Sequence, residues 1–375
     1  MMERPQNIAV AGLPGECRGR ARRSRLVTYL AIGYTLLVAY ATVYPFREWR
    51  SPADGMFAFV SMPWPRYYTF FDLLVNVLAY IPLGFLLVLA ALPWLSGWLV
   101  VIAATLAGTA LSLALEAVQS FLPARVASNL DLLNNGLGAL TGALLAAAFG
   151  ERWFLSGNLF RLRQRVFLHG ARVDLGFVLL LLWLFTQLNP EVWLFGNGDF
   201  RPLIAQAGNL EFSPESYRWI ETGVTAFNLA GICVFTATLA RRGQGVFGPL
   251  LVLVAAALLL KSVAALTLFK PGDVALWLTP GSMLGIPAGL LLYLPLARLP
   301  RRGMALAALG LILFGAALLN YAPENPYIQA SVQTWRYGHF LSFNGATQLI
   351  STVWPLMATA YLLWWTLTPH HASYD

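Results

Sequence analysis

Charge is scarce in this sequence: only 11% of its 375 residues are Asp, Glu, Lys or Arg, against about 25% in soluble globular chains. That shortage points to lipid as the solvent, in keeping with 58% apolar residues and a mean hydropathy of +0.63. Cysteine is nearly absent as well. Cys17 stands in a basic N-terminal stretch and Cys233 in an apolar run, so no disulfide framework is expected. The four histidines are His169, His339, His370 and His371, and none pairs with a nucleophile such as Ser120 in a recognisable pattern. No glycine-rich phosphate loop, dinucleotide fingerprint or haem motif occurs, so no cofactor is expected. The net charge of +8 comes from arginines in short segments between apolar runs, a topological pattern that argues against a nucleic-acid partner. The first apolar run is too long for a signal-peptide core and lacks a small-residue cleavage pattern, and we read it as a retained helix.

What the sequence does hold is a series of long apolar runs. A spanning helix needs about 20 such residues, because every backbone polar group must be satisfied within the segment. Pro, Gly and charged punctuation places helices at 26–44, 72–92, 97–119, 130–149, 173–189, 219–239, 246–267, 276–297, 304–321 and 348–368. The expected fold is an all-α polytopic membrane protein of about ten transmembrane helices. With the N-terminus inside, Arg18 to Arg25, Arg152 to Arg172, Arg241 and Arg242, and Arg298 to Arg302 all fall on the cytoplasmic side, which selects an N-in, C-in orientation. The opposite side keeps scattered cations and the loops 45–71, 190–218 and 322–347, rich in aromatic, Pro and Asn residues that suit the membrane interface. The basic, aromatic stretch 151–172 suits the surface of an anionic leaflet or a plain linker.

Polar groups inside apolar runs carry information, since a charge at a helix centre costs roughly 2.5–3.5 kcal/mol on insertion scales. Here they gather at the outer ends of helices two to four. Asp72 and Asn76 share one face of helix two, Glu116 and Gln119 share one face of helix three, Arg125 follows in a short loop, and Asp131, Asn134 and Asn135 open helix four. Asp72 and Asp131 stand where a carboxylate can cap a helix N-terminus. Glu116 lies roughly 5–8 Å inside its helix end and needs a partner: Arg125, the amides, or a ligand or metal ion. Gly138 and Gly142, and later Gly285 and Gly289, have the spacing of close helix packing.

The ordered run Asp72, Asn76, Ile81-Pro82-Leu83-Gly84, then Glu116-x-x-Gln119-x-Phe121-x-Pro123-x-Arg125, then Asp131, Asn134, Asn135, Leu137-Gly138 and Gly142 resembles the VanZ-like family, and Tyr44-Pro45-Phe46 fits the same pattern. The resemblance covers about residues 26–150. It implies a four-helix membrane domain whose namesake supports resistance to the glycopeptide teicoplanin, in a family that includes envelope and exopolysaccharide accessory proteins of the bacterial cytoplasmic membrane. Asp72, Asn76, Glu116, Gln119, Arg125, Asp131 and Asn134 or Asn135 are the family-type positions here.

The expected organisation is a basic tail (1–25), the VanZ-like unit (26–150), a basic linker (151–172), a second four-helix unit (173–299) and a C-terminal helix pair (300–375). Helices five to eight can be laid over one to four, pairing Asn228 with Asn76, Lys261 with Glu116 and Gly285-x-x-x-Gly289 with Gly138-x-x-x-Gly142. Lys261, an ammonium deep in a helix, either snorkels to the outer surface or pairs with Glu116 or Glu221. Three functional classes stay open. The first is a module that binds membrane lipids or a lipid-linked glycan or other envelope precursor, with Arg125 meeting phosphate and the amides meeting sugar. The second is a metal-assisted enzyme acting on a lipid diphosphate. The third is a transporter, suggested by the helix count, the possible repeat and Pro82, Pro287 and Pro355 within helices.

Overall fold

The computed structural model describes residues 25–65, 67–155, 158–189, 191–201, 203, 213–243, 245–268, 274–275, 277–323 and 341–368. Most of the basic tail with Cys17, and also Arg66, Lys270, Arg336, His339, His370 and His371, lie outside the described residues. No strand occurs among the described residues. The chain forms α1 (Leu26–Val43), α2 (Phe70–Ala91), α3 (Trp98–Gln119), α4 (Asn129–Leu145) with a π-helical continuation (Ala146–Leu155), α5 (Asn158–Val166), α6 (Ala171–Thr186), α7 (Pro214–Thr238), α8 (Phe247–Leu268), α9 (Pro280–Leu296), α10 (Arg301–Tyr321) and α11 (Leu341–Leu367).

Each of the ten apolar runs coincides with one helix, and α5 is the additional, amphipathic one. Seven helices, α1 to α4, α7, α8 and α10, are long and apolar enough to cross a membrane. At 16 residues for α6 and 17 for α9, these two reach only about 24–26 Å, short of a hydrocarbon core of about 30 Å. Large apolar side chains such as Leu36, Trp98, Leu106, Val252 and Leu291 point outward, as a lipid solvent requires.

Glycine sets the closest helix approaches. A Cβ on Gly138 or Gly142 would run into the Val77 and Ile81 carbonyls of α2, and one on Gly84 into the backbone of Ala139. The same device joins α7 and α9, where Gly285 lies on Thr222 and Thr225 and Gly289 on Ala226. The resemblance between the two halves stops at this pair. Helix α3 packs on both α2 and α4, whereas the helix packed along α7 beside α9 is α10, not α8. Helix α7 is buried on nearly all sides and centres the larger core, with Trp183, Ile312, Trp354 and Leu362 around it.

Helix α1 joins the halves, packing on α2 and α3 and also on α6 and α11. At one end of the bundle the Tyr44 ring lies against Gly345 of α11. At the other, buried Asp174 accepts from the Arg25 backbone N–H at 2.8 Å and pairs with Arg163 of α5. Val166 and Phe167 are buried there, and the segment is tied back by Arg241 N donating to Val166 O (2.8 Å) and Leu168 N to Leu239 O (2.9 Å). The basic linker is thus docked on the bundle through this segment, with Arg161, Leu162 and Arg165 left exposed.

The loop after α6 is packed in protein over part of its described length: Leu194 to Gly198 are buried inside the bundle, while Leu203 is exposed. Irregular backbone at such a position must find partners within the protein. Gln187 Oε1 accepts from Phe195 N at 3.1 Å, Asn320 binds both Phe200 N (2.7 Å) and Gly198 O (2.6 Å), and Ser351 O accepts from Gly198 N (2.8 Å). Lys261 completes the set and corrects its own reading. Its Nζ, buried, donates to the carbonyls of Asn189, at 2.6 Å, and Val192, so it neither snorkels outward nor pairs with Glu116 or Glu221.

Candidate functional site at the start of helices α2 and α4

Helix α2 starts with a capping box: Thr69 Oγ1 accepts from Asp72 N (3.1 Å), and Asp72 accepts from Thr69 N (3.2 Å) and Oγ1 (2.6 Å). One turn on, Asn76 donates to Asp131 Oδ1 at 2.6 Å. One turn further, Tyr80 is buried and faces Ser112. The four-residue spacing of 72, 76 and 80 lines them along one face of α2.

Helix α3 presents Ser112 and Glu116 with the same spacing, both buried. Helix α4 meets them. Its N-cap is Ser128, not Asp131: the Ser128 hydroxyl accepts from Leu130 N (3.1 Å) and Asp131 N (3.4 Å). The Ser128 N–H then donates to Glu116 Oε2 at 3.0 Å, which gives the only 3% exposed Glu116 the partner that burial demands. Asn135 donates to Ser112 Oγ at 2.9 Å, while its buried Oδ1 has no hydrogen-bond partner. Asn134 donates locally to Leu130 O at 2.9 Å.

The result is a polar seam between α2, α3 and α4. Half-buried Asp72, Asn76 and Asp131 form its rim, Glu116 and Ser128 lie beneath, and Tyr80, Ser112 and Asn135 are deepest. The charges act on one another: Asp131 feels Asp72, and Glu116 feels both Asp131 and Arg125.

Two family-type residues do something else. Arg125 donates Nε (3.0 Å) and Nη2 (2.8 Å) to the carbonyl of Tyr44, the C-cap residue of α1, and Gln119 donates to Thr42 O at 2.9 Å. A cation and an amide thus close the free carbonyls at the negative end of α1. Burial lowers the pKa of the Arg125 guanidinium and the nearby Glu116 charge opposes this, and an arginine in this setting stays charged. With two donors on Tyr44, the guanidinium fastens the end of α1. The Ser120 hydroxyl donates to Ala117 O, at 2.7 Å. Among the described residues Asp72, Glu116 and Asp131 do not gather as a metal-holding group.

Sequence reasoning missed Tyr80, Ser112 and Ser128. Helical spacing could have found the first two, four residues after Asn76 and four before Glu116, and Ser128 opens a Ser-x-x-Asp pattern.

Residues 26–150, a third of the chain and the span of α1 to α4, match the VanZ/LLP1 family model. No curated protein and no solved structure matches the chain. The chain is thus a helical membrane protein with a VanZ-like region at its N-terminal side.

Proposed function

We propose that the VanZ-like region is a binding module of the bacterial cell envelope for the polar head of an amphipathic or lipid-linked molecule. Such a role fits the glycopeptide-resistance and exopolysaccharide-accessory character that the family resemblance implies. One observation carries the reading: Asp72 and Asp131 are held near each other at the half-buried rim, each by a dedicated 2.6 Å hydrogen bond. Like charges kept together in a membrane protein cost free energy, which a headgroup rich in hydroxyl or ammonium donors offsets. The arginine distribution supports a multi-pass protein of the cytoplasmic membrane with this rim on the outer side.

The test is identification of molecules that copurify with the protein in native lipid particles. A non-bulk amphiphile should accompany the parent and be depleted in Asp131→Asn, whose melting temperature stays near that of the parent. Recovery of the same molecules with both proteins would sink the reading. The orientation has its own check in a background without Cys17 and Cys233. Ser51→Cys should label with an impermeant thiol reagent in intact cells and Gln164→Cys should not.

A further inference from the structure

Positive charge gathers at the end of the bundle where α5 docks. Residues 158–175 and 239–248 carry repeated arginines and a single carboxylate, Asp174. That carboxylate is 1% exposed and already holds Arg163 and the Arg25 backbone N–H, so its charge serves the interior. Arg161 and Arg165, one turn apart on α5, are exposed, as are Arg241 and Arg242 after α7. Leu162, beside the first pair, is exposed too, which gives the outer face of α5 the mixed basic and apolar character of an interfacial helix.

Backbone pairing brings the two basic segments together, since Arg241 N donates to Val166 O and Leu168 N to Leu239 O. One side-chain contact then joins them. Arg241 Nη2 lies 2.9 Å from His169 Nδ1, and because a guanidinium can only donate, Nδ1 is the acceptor. Burial, helped by the charges of Arg241 and Arg163 and opposed by Asp174, holds the pKa of His169 below its ordinary value. The ring is therefore neutral at neutral pH, with its proton on Nε2. The contact fixes a guanidinium and sets a second N–H donor beside it. Both follow closely on α7, which ends at Thr238 and is long and apolar enough to cross a membrane. A side chain just beyond the end of such a span meets the phosphates of the lipids.

We infer that this corner binds the phosphate of an anionic phospholipid, with Arg241 and His169 as the donors in contact, Arg165 and Arg242 as flanking charge and Leu162 against the acyl chains. The guanidinium fork matches phosphate oxygens, and each basic residue near an anionic lipid surface contributes about fivefold in affinity. A zwitterionic lipid carries its own cation and gains less from the same arginines. The inference uses none of the residues of the α2–α4 seam and stands independently of the role proposed for it.

The experiment is thermal unfolding of the full chain in mixed micelles, with dioleoylphosphatidylglycerol or dioleoylphosphatidylcholine titrated as a mole fraction of a neutral detergent. Phosphatidylglycerol should raise the melting temperature saturably and phosphatidylcholine should not. The midpoint of that titration should move about fivefold to higher lipid in Arg241→Gln, move in the same direction in His169→Ala, and stay in place in Arg50→Gln, at the opposite end of the bundle. If Arg241→Gln does not fold, Arg242→Gln and His169→Ala carry the comparison. Equal effects of the two lipids, or none from either, overturn the inference. A midpoint that moves with Arg241→Gln but not with His169→Ala would show diffuse surface charge in place of a built site and overturn it as well. So would inorganic phosphate if, in lipid-free micelles, it raised the melting temperature of the parent but not of Arg241→Gln, since the site would then take the free ion.

Discussion

Ser128 links Glu116 to the start of α4: its N–H reaches Glu116 Oε2 at 3.0 Å while its hydroxyl caps the first turn of the helix. The carboxylate is therefore held by backbone before any ion pair is considered. Replacing Glu116 by Ala strands the Ser128 N–H and should cost about 1–3 kcal/mol. Gln keeps an oxygen in place and should cost less than Ala. Thermal unfolding in detergent separates the two, and equal losses would show that charge, not the acceptor, matters. Because the Arg125 charge acts on Glu116 as well as holding Tyr44, the changes Glu116→Gln and Arg125→Gln should be coupled by about 0.5 kcal/mol or more; strict additivity would show that the two groups act independently.

Arg125 and Gln119 act on the same helix end. Arg125→Ala should loosen the end of α1, with a loss of about 1.5–3 kcal/mol for a charge-assisted bond, against about 0.5–1.5 kcal/mol for Gln119→Leu. Hydrogen exchange of residues 40–50 should rise in both. If exchange rises instead around Asp131 and leaves α1 unchanged, the fastener assignment is wrong.

Gly142 and Gly33 form a matched pair for the packing argument. A Cβ on Gly142 meets the Ile81 backbone, whereas nothing lies within 4 Å of one on Gly33. Gly33→Ala should be neutral or gain up to about 1 kcal/mol from helix propensity. Gly142→Ala should lose about 1–3 kcal/mol or more from overpacking, since backbone cannot move aside as a side chain can. Similar melting temperatures for the two variants would contradict the close α2–α4 contact.

The helix positions were legible because the bilayer fixes the length of an apolar run and punctuation marks its ends. Asn76, Glu116 and Asp131 were legible for the same reason, as polar residues out of place. Their partners were not. That Arg125 bonds to Tyr44, 81 residues away, depends on how α1 meets the α3–α4 loop, which no local pattern encodes. The caps were a different failure: Thr69-x-x-Asp72 and Ser128-x-x-Asp131 are both readable motifs, and attention to the carboxylates hid the hydroxyls before them. The burial of Leu194 to Gly198 was not legible because Trp, Asn and Pro suit an interface as well as an interior. That burial rests on Lys261, Asn320 and Ser351, all remote in sequence.

Lys261 offers the sharpest test of that loop, because two opposing effects meet there. Replacing it with Met removes an ammonium whose burial is expensive, and this alone would stabilise the protein. The same change strands the carbonyls of Asn189 and Val192, each at a cost of about 1–3 kcal/mol. Global unfolding reads the sum, so the melting temperature of Lys261→Met should move little. Local opening reads only the second effect. Hydrogen exchange across residues 191–200 should therefore rise in Lys261→Met while α7 and α10 stay protected. Lys261→Gln, which keeps a donor able to reach one carbonyl, should fall between Met and the parent. Unchanged exchange in Lys261→Met would mean that Asn320 and Ser351 hold the loop without the ammonium. A uniform rise over the whole bundle would instead place Lys261 in the global core.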